Sequence, residues 1–256
     1  MDIALNPGKV LQNYRSNSQK ARVLTENWVA SEMYCPCCLH KKIWAYPNNR
    51  KMSDFFCEEC INEFQLKSSK KPFSKKMVGG DYNTTIDFIK KGMAPNFLTL
   101  QYCSEKLVVK NLTMIPKFFI NLSILEKRQP LSDKAKRARW RGCNFLLDKL
   151  PREGRIPIIK QELIQPKTTV KKKKKKMFFL ANKKPESKGW TSDVLKVVQE
   201  QDRVFSLRHI YKYEQYFREL HPENQNIKAK IRQQLQILRD NHIIKFKNKG
   251  VYEILE

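Results

Sequence analysis

A chain of 256 residues, 41% hydrophobic and 11% aromatic, has room for one large domain or two modest ones with real cores. Its 51 Lys and Arg against 25 Asp and Glu leave a formal charge of +26, which points to a polyanionic partner through phosphate binding and counterion release. No apolar run approaches the roughly 18 residues of a membrane span, and MDIALNPGKVLQNYR lacks the basic-then-apolar pattern of a secretion signal, so a cytoplasmic protein with no membrane partner is expected.

In chain order, Asn17 to Val29 sets Ala21, Leu24, Trp28 and Val29 on one helical face, so a helix opens the N-terminal region. Cys35, Cys38, Cys57 and Cys60 follow as two C-x2-C pairs. Each pair can grip a tetrahedral Zn2+ ion from one knuckle turn, and four thiolates leave no position for an activated water, so the zinc is expected to be structural. A disulfide framework fits poorly, because a cytoplasmic chain keeps its thiols reduced and seven cysteines leave one unpaired. Cys37 breaks the paired spacing and His40 falls beyond the knuckle, while Cys103 and Cys143 read as small buried hydrophobes.

Asp54 immediately precedes the second cysteine pair, and Asn62 to Lys67 immediately follows it. If residues 62–67 form a strand, Phe64 and Leu66 face one way and Glu63, Gln65 and Lys67 the other. An aspartate beside a strand bearing an amide oxygen and a lysine two positions apart suits phosphodiester cleavage with magnesium, a hard cation that prefers oxygen. Asp54, the Gln65 side-chain carbonyl and the Leu66 main-chain carbonyl would hold Mg2+, with Lys67 positioning or deprotonating the attacking water. Taken alone, the same residues also describe a solvated strand face with a scattered salt bridge.

Asn96 to Tyr102 and Leu107 to Ile120 read as strands, giving a mixed α/β region. Lys134 to Arg141 (KAKRARWR) sets Trp140 among Arg137, Arg139 and Arg141, which suits a DNA-facing loop as well as a packed tryptophan in a charged surround. Residues 165–189 lose apolar periodicity around the Lys171 to Lys176 tract and read as a linker. This divides the chain into a nuclease-like domain over 1–164 with the ribbon at 35–60, and a reader over 190–256. Within the reader, Thr191 or Ser192 is the expected cap of a first helix, Ser206 to Leu220 a second and Asn226 to Asp240 a third. On the third, Ile227, Ile231, Leu235 and Leu238 form an apolar stripe. Lys228, Lys230, Arg232, Gln233, Gln236 and Arg239 fill the remaining face, with arginine suited to guanine and glutamine to adenine in a major groove. A hairpin from Ile243 to Leu255, turning at Asn248, Lys249 and Gly250, completes a winged helix-turn-helix.

Asp54 with Gln65-Leu66-Lys67 resembles the D and (D/E)-x-K of the PD-(D/E)XK nuclease superfamily. The ordered set SNSQKAR at 16–22, the ribbon, QLKS at 65–68, RGCN at 141–144 and KIRQQLQILRD at 230–240 resembles methyl-directed restriction endonucleases of that superfamily, over nearly the whole chain. The resemblance implies an α/β PD-(D/E)XK core with a zinc-ribbon insert, and magnesium-dependent cleavage of both strands of duplex DNA at methylated GATC. It also implies recognition of the same sequence by both domains, and a methyl-sensing role for Trp140. One departure bears on activity: Gln65 stands where the family carries the motif glutamate, so a metal ligand has lost its charge unless Glu63 compensates. The expectation is an active, monomeric deoxyribonuclease. The alternative is a non-catalytic zinc-ribbon and winged-helix regulator, and an RNA-associated ribbon protein would explain the charge but neither Lys67 nor the wing.

Overall fold

The computed structural model describes residues 1–8, 14–47 and 50–255. The elements run α1 (Asn17–Glu32), β1 (Trp44–Ala45), β2 (Phe55–Phe56), β3 (Glu63–Ser69), β4 (Lys76–Asp81), α2 (Tyr82–Lys90), β5 (Asn96–Cys103) and β6 (Val108–Ile115). They continue with β7 (Leu125–Lys127), β8 (Gly142–Leu146), β9 (Ile156–Lys160), β10 (Leu163–Ile164), α3 (Lys167–Lys176) and α4 (Pro185–Val198). The chain ends with β11 (Val204–Ser206), α5 (Leu207–Tyr211), α6 (Glu214–Leu220), α7 (Ile227–Asp240), β12 (Ile244–Asn248) and β13 (Val251–Ile254). Two compact units result: Met1–Met77 with Met93–Ile120 and Arg155–Phe178, and Val78–Gly92 with Asn121–Gly154 and Phe179–Glu256.

The first unit is built on a seven-stranded sheet in the order β1-β2-β3-β5-β6-β9-β10. Among the described residues of this sheet only β3 and β5 run parallel, Phe64 opposite Asn96 through Ser69 opposite Gln101, which requires the long connection between them. β5 is central, and Asn96 to Leu100 are all buried, so its sequence shows an apolar run rather than alternation. α1 covers the sheet with Leu24, Trp28 and Val29 at 6%, 3% and 0% exposure, and Thr25 Oγ1 donates to Ser68 Oγ of β3 at 3.1 Å. The predicted second strand stops at Ile115 because Pro116 opens a 3-10 turn, where Phe118 and Phe119 are buried.

Residues read as a linker are folded. α3 spans the lysine tract, with Val170 fully buried in the core of the first unit. One apolar anchor and good intrinsic helix formers suffice, and the last turn places Lys173 to Lys176 at the negative end of the helix dipole.

In the second unit, a three-stranded sheet β4-β8-β7 is joined by the C-terminal helices and a second three-stranded sheet, β11-β13-β12. The first C-terminal helix, α4, begins at Pro185 rather than at Thr191 or Ser192, since proline is suited to a first helical turn. Thr191 instead lies in its interior, where Oγ1 donates to Ser187 O and meets buried Gln234 Oε1, each at 2.8 Å. Buried Asp193 accepts from Ser123 Oγ at 2.7 Å and pairs with His221 Nε2 at 2.9 Å, while the His221 ring stacks on Trp190 at 3.8 Å. These contacts fasten the turn at 122–124 and the end of α6 to α4. The expected second helix divides into α5 and α6 because Tyr213 leaves helical geometry (φ −91°, ψ 12°), but Ser206 caps it by accepting from His209 N. α7 matches the expected third helix, with Ile227, Ile231, Leu235 and Leu238 all buried, and the hairpin turns through Gly250 at φ +74°.

Leu235 has no exposed surface, so Leu235→Ala removes its packing and leaves a cavity. The expected loss is about 2–5 kcal/mol of stability, read as a lowered urea midpoint by tryptophan fluorescence.

Candidate functional site

The two cysteine knuckles are local copies of one another. Cys35 N donates to His40 O and Leu39 N to Cys35 O; Cys57 N donates to Asn62 O and Ile61 N to Cys57 O, all at 2.8–3.0 Å. Each knuckle ends on a left-handed residue, Leu39 at φ +71° and Ile61 at φ +53°. For a β-branched isoleucine that backbone is strained, and the closed turn enforces it. The four Sγ atoms of Cys35, Cys38, Cys57 and Cys60 lie within 4.8 Å of one another, with Cys35–Cys60 and Cys38–Cys57 each 3.6 Å apart. A tetrahedron with Zn–S bonds of about 2.3 Å has edges of about 3.8 Å, so the donor set fits zinc. Cys37 stands outside the group, its main-chain oxygen accepting from Lys174 Nζ; His40 gives its backbone N–H, not its ring, to Cys38 Sγ.

The second knuckle also closes the β2–β3 hairpin, with Phe55 opposite Phe64. Asp54 N donates to Phe64 O at 2.8 Å, and Asp54 Oδ2 accepts from Leu66 N at 2.7 Å. Burial raises the Asp54 pKa, opposed by the Leu66 N–H and by the charges of Lys67 and Arg22. The hairpin therefore brings together Asp54, Leu66 and Lys67, with half-buried Gln65 between the last two on the strand.

Glu63, the acidic neighbour that could compensate for Gln65, has three partners of its own. Tyr46 Oη at 2.7 Å and Arg50 Nη2 at 2.6 Å both reach Oε1, and Ser53 Oγ reaches Oε2 at 2.9 Å. Burial works against its ionisation, but these three partners hold its pKa below the ordinary glutamate value. Both carboxylate oxygens are thus engaged at the start of β3. The carboxylate that sequence reasoning missed is Glu26 of α1, which lines a small polar cleft with Arg22, Tyr46, Arg50, Ser53 and Asp54. Burial raises its pKa; nearby Arg22 lowers it and the Asp54 charge raises it again. Its sequence signal was the i,i+4 pairing with Arg22, at 3.7 Å, which is common on exposed helix faces.

In the second unit Trp140 is half-buried and Arg137, Arg139 and Arg141 are exposed on the loop joining β7 to β8. Leu131 N to Trp140 O at 2.9 Å and Arg139 N to Leu131 O at 3.1 Å close that loop, and Arg139 pairs with exposed Asp133. The Trp140 ring lies so close to Gly142 that a Cβ there would stand 2.9 Å from it. On α7, Lys228, Arg232, Gln233, Gln236 and Arg239 are all exposed, as is Lys249 at the wing tip, while Lys230 is half-buried. Arg232 donates to Tyr211 Oη at 2.8 Å and Lys228 pairs with Glu214 at 3.2 Å. Glu253 engages Arg203, Lys245 and Lys247, each within 3.3 Å.

Residues 1–183 match the family model described as DpnI, the Dam-replacing family. The chain belongs to this family. Residues 186–254 match the model of the Dam-replacing helix-turn-helix domain, in agreement with the helices and wing of the second unit. The two matches meet within a few residues of the start of α4. No helix among the described residues is long and apolar enough to cross a membrane.

Two outcomes test this geometry. Cys57→Ser should lower metal content and release the second knuckle, so amides of 54–66 should exchange hydrogen faster; unchanged protection would separate the ribbon from the hairpin. Gly142→Ala should displace the Trp140 ring, seen as a shift in its fluorescence relative to a Trp140→Phe background, with the fold retained by circular dichroism.

Proposed function

We propose that this chain is a methyl-directed restriction endonuclease that hydrolyses both strands of duplex DNA at adenine-methylated GATC. The observation that carries the reading is the anchoring of Asp54 on the backbone of β3 at Leu66, beside Lys67, in a chain of the DpnI family. Residues 1–164 supply the cutting domain, and residues 190–256 a second reader.

The oxygen-rich composition at this point fits Mg2+. Asp54 is a partly desolvated carboxylate with one oxygen fixed by Leu66 N, and Glu26 adds negative potential nearby. Asp54, the Gln65 amide oxygen and the Leu66 carbonyl are the proposed ligands. Bound there, magnesium supplies charge stabilisation at the scissile phosphate and a more acidic water. Lys67 orients the attacking water towards phosphorus and offsets negative charge as it develops. The neutral Gln65 weakens the metal site relative to a carboxylate, which predicts a higher magnesium requirement and not an inactive site. The four cysteines hold structural Zn2+.

Recognition is assigned to two elements of the second unit. Trp140 offers an apolar face for the adenine methyl group while Arg137, Arg139 and Arg141 bind phosphates. Lys228, Arg232, Gln233, Gln236 and Arg239 of α7 read the major groove, and Lys249 of the wing contacts the backbone. The chain is proposed to act as a cytoplasmic monomer.

The test is digestion of one plasmid prepared with and without adenine methylation. Magnesium-dependent cleavage of the methylated form alone is expected, and Asp54→Ala and Lys67→Ala should each reduce it by at least a hundredfold with zinc content and folding unchanged. Tight binding without cleavage under any magnesium concentration would instead assign a non-catalytic regulator.

A further inference from the structure

Helix α3 gathers its lysines with no acidic residue among them. Buried Val170, Lys167 with its Nζ 4.8 Å from the Tyr34 ring centroid, and Lys174 with its Nζ 3.4 Å from Cys37 O fix one side of the helix. At 100° per residue, Lys171, Lys172 and Lys175 are each turned about 100° or more from Val170, and all three are exposed. Among the described residues none of these three takes part in an ion pair. Pairs at i,i+3 (Lys172 and Lys175) and i,i+4 (Lys171 and Lys175) repel, so packing of one face holds like charges together on the other. A solvated surface helix relieves such repulsion with interleaved glutamate or aspartate, and α3 has none.

We propose that α3 is a phosphate-binding rod, a third contact with duplex DNA beyond the Trp140 loop and the winged helix, which binds the backbone without regard to sequence or methylation. The proposal rests on the reading that the substrate is duplex DNA. A polyanion is the partner that removes the repulsion, because phosphates set along the helix screen the like charges. Each lysine that reaches a phosphate adds about 0.9 to the slope of log K against log salt.

The experiment compares the full chain with K171Q/K172Q/K175Q by fluorescence anisotropy, over a salt series without added divalent metal. Methylated and unmethylated duplexes of equal length serve as probes. The slope is expected to fall by about 2–3, the affinity for both duplexes to fall by the same factor, and K171R/K172R/K175R to restore it. An unchanged slope in a folded, zinc-loaded triple glutamine variant overturns the proposal. So does a loss of binding confined to phosphatidylserine vesicles or single-stranded RNA, which would name a different partner. Because no cleavage is measured, a failed methylation-dependent digestion leaves this result standing, and an unchanged slope leaves the nuclease reading standing.

Discussion

The β2–β3 hairpin is the constraint on which the first unit depends, because one turn serves as both a cysteine knuckle and a strand connection. Cys57 and Cys60 lie inside the turn, Asp54 just before it, and Leu66 and Lys67 just after. The hydrogen bonds Cys57 N to Asn62 O, Asp54 N to Phe64 O and Leu66 N to Asp54 Oδ2 are successive rungs of one short ladder. A two-residue strand such as β2 has little stability of its own. The knuckle's own hydrogen bonds, and extension through β3 into the parallel pairing with β5, supply what it lacks, and an ion held by the four cysteines would add to them. The ribbon is therefore structural in a specific sense: it fixes the separation of two segments whose side chains carry the proposed chemistry.

The second unit solves a different problem, that of exposing the groups proposed for recognition without leaving them floppy. Trp140 is supported against the bare backbone of Gly142, the kind of close approach that only glycine allows. On α7 the exposed cations and amides stand on a helix whose other side is fully buried, and Gln234 adds a buried hydrogen bond to Thr191. On the wing, Glu253 gathers Lys245, Lys247 and Arg203, which leaves Lys249 at the tip as the cation presented outward.

Much of this was legible in the sequence because it was local. The cysteine spacing encodes the knuckles, the stripe of Ile227, Ile231, Leu235 and Leu238 encodes α7, and Ser206 encodes a cap. What escaped depended on long-range contacts. The lysine tract looked unstructured because its helix is stabilised by one buried valine and a sheet that composition does not show. Glu63 looked available because strand alternation gives its face but not its three partners from 46, 50 and 53. Glu26 was hidden in a helix whose apolar stripe drew attention to Leu24 and Trp28, and only folding brings it beside the cleft.

The missing charge at Gln65 takes on a different meaning in this setting. A carboxylate there would add a further anion to a region already holding Asp54 and Glu26, where burial disfavours ionisation of both and the Asp54 charge raises the glutamate pKa further. Opposing them are Arg22 and Lys67, with Arg50 committed to Glu63. A neutral amide keeps an oxygen donor while lowering the cost of gathering negative charge before a cation arrives. On the proposed reading the amide favours a stable metal-free hairpin at the expense of metal affinity, and in a chain with formal charge +26 many other cations remain to hold DNA. On the proposed reading, binding and cutting draw on separate groups, so a neutral residue at position 65 need not abolish either.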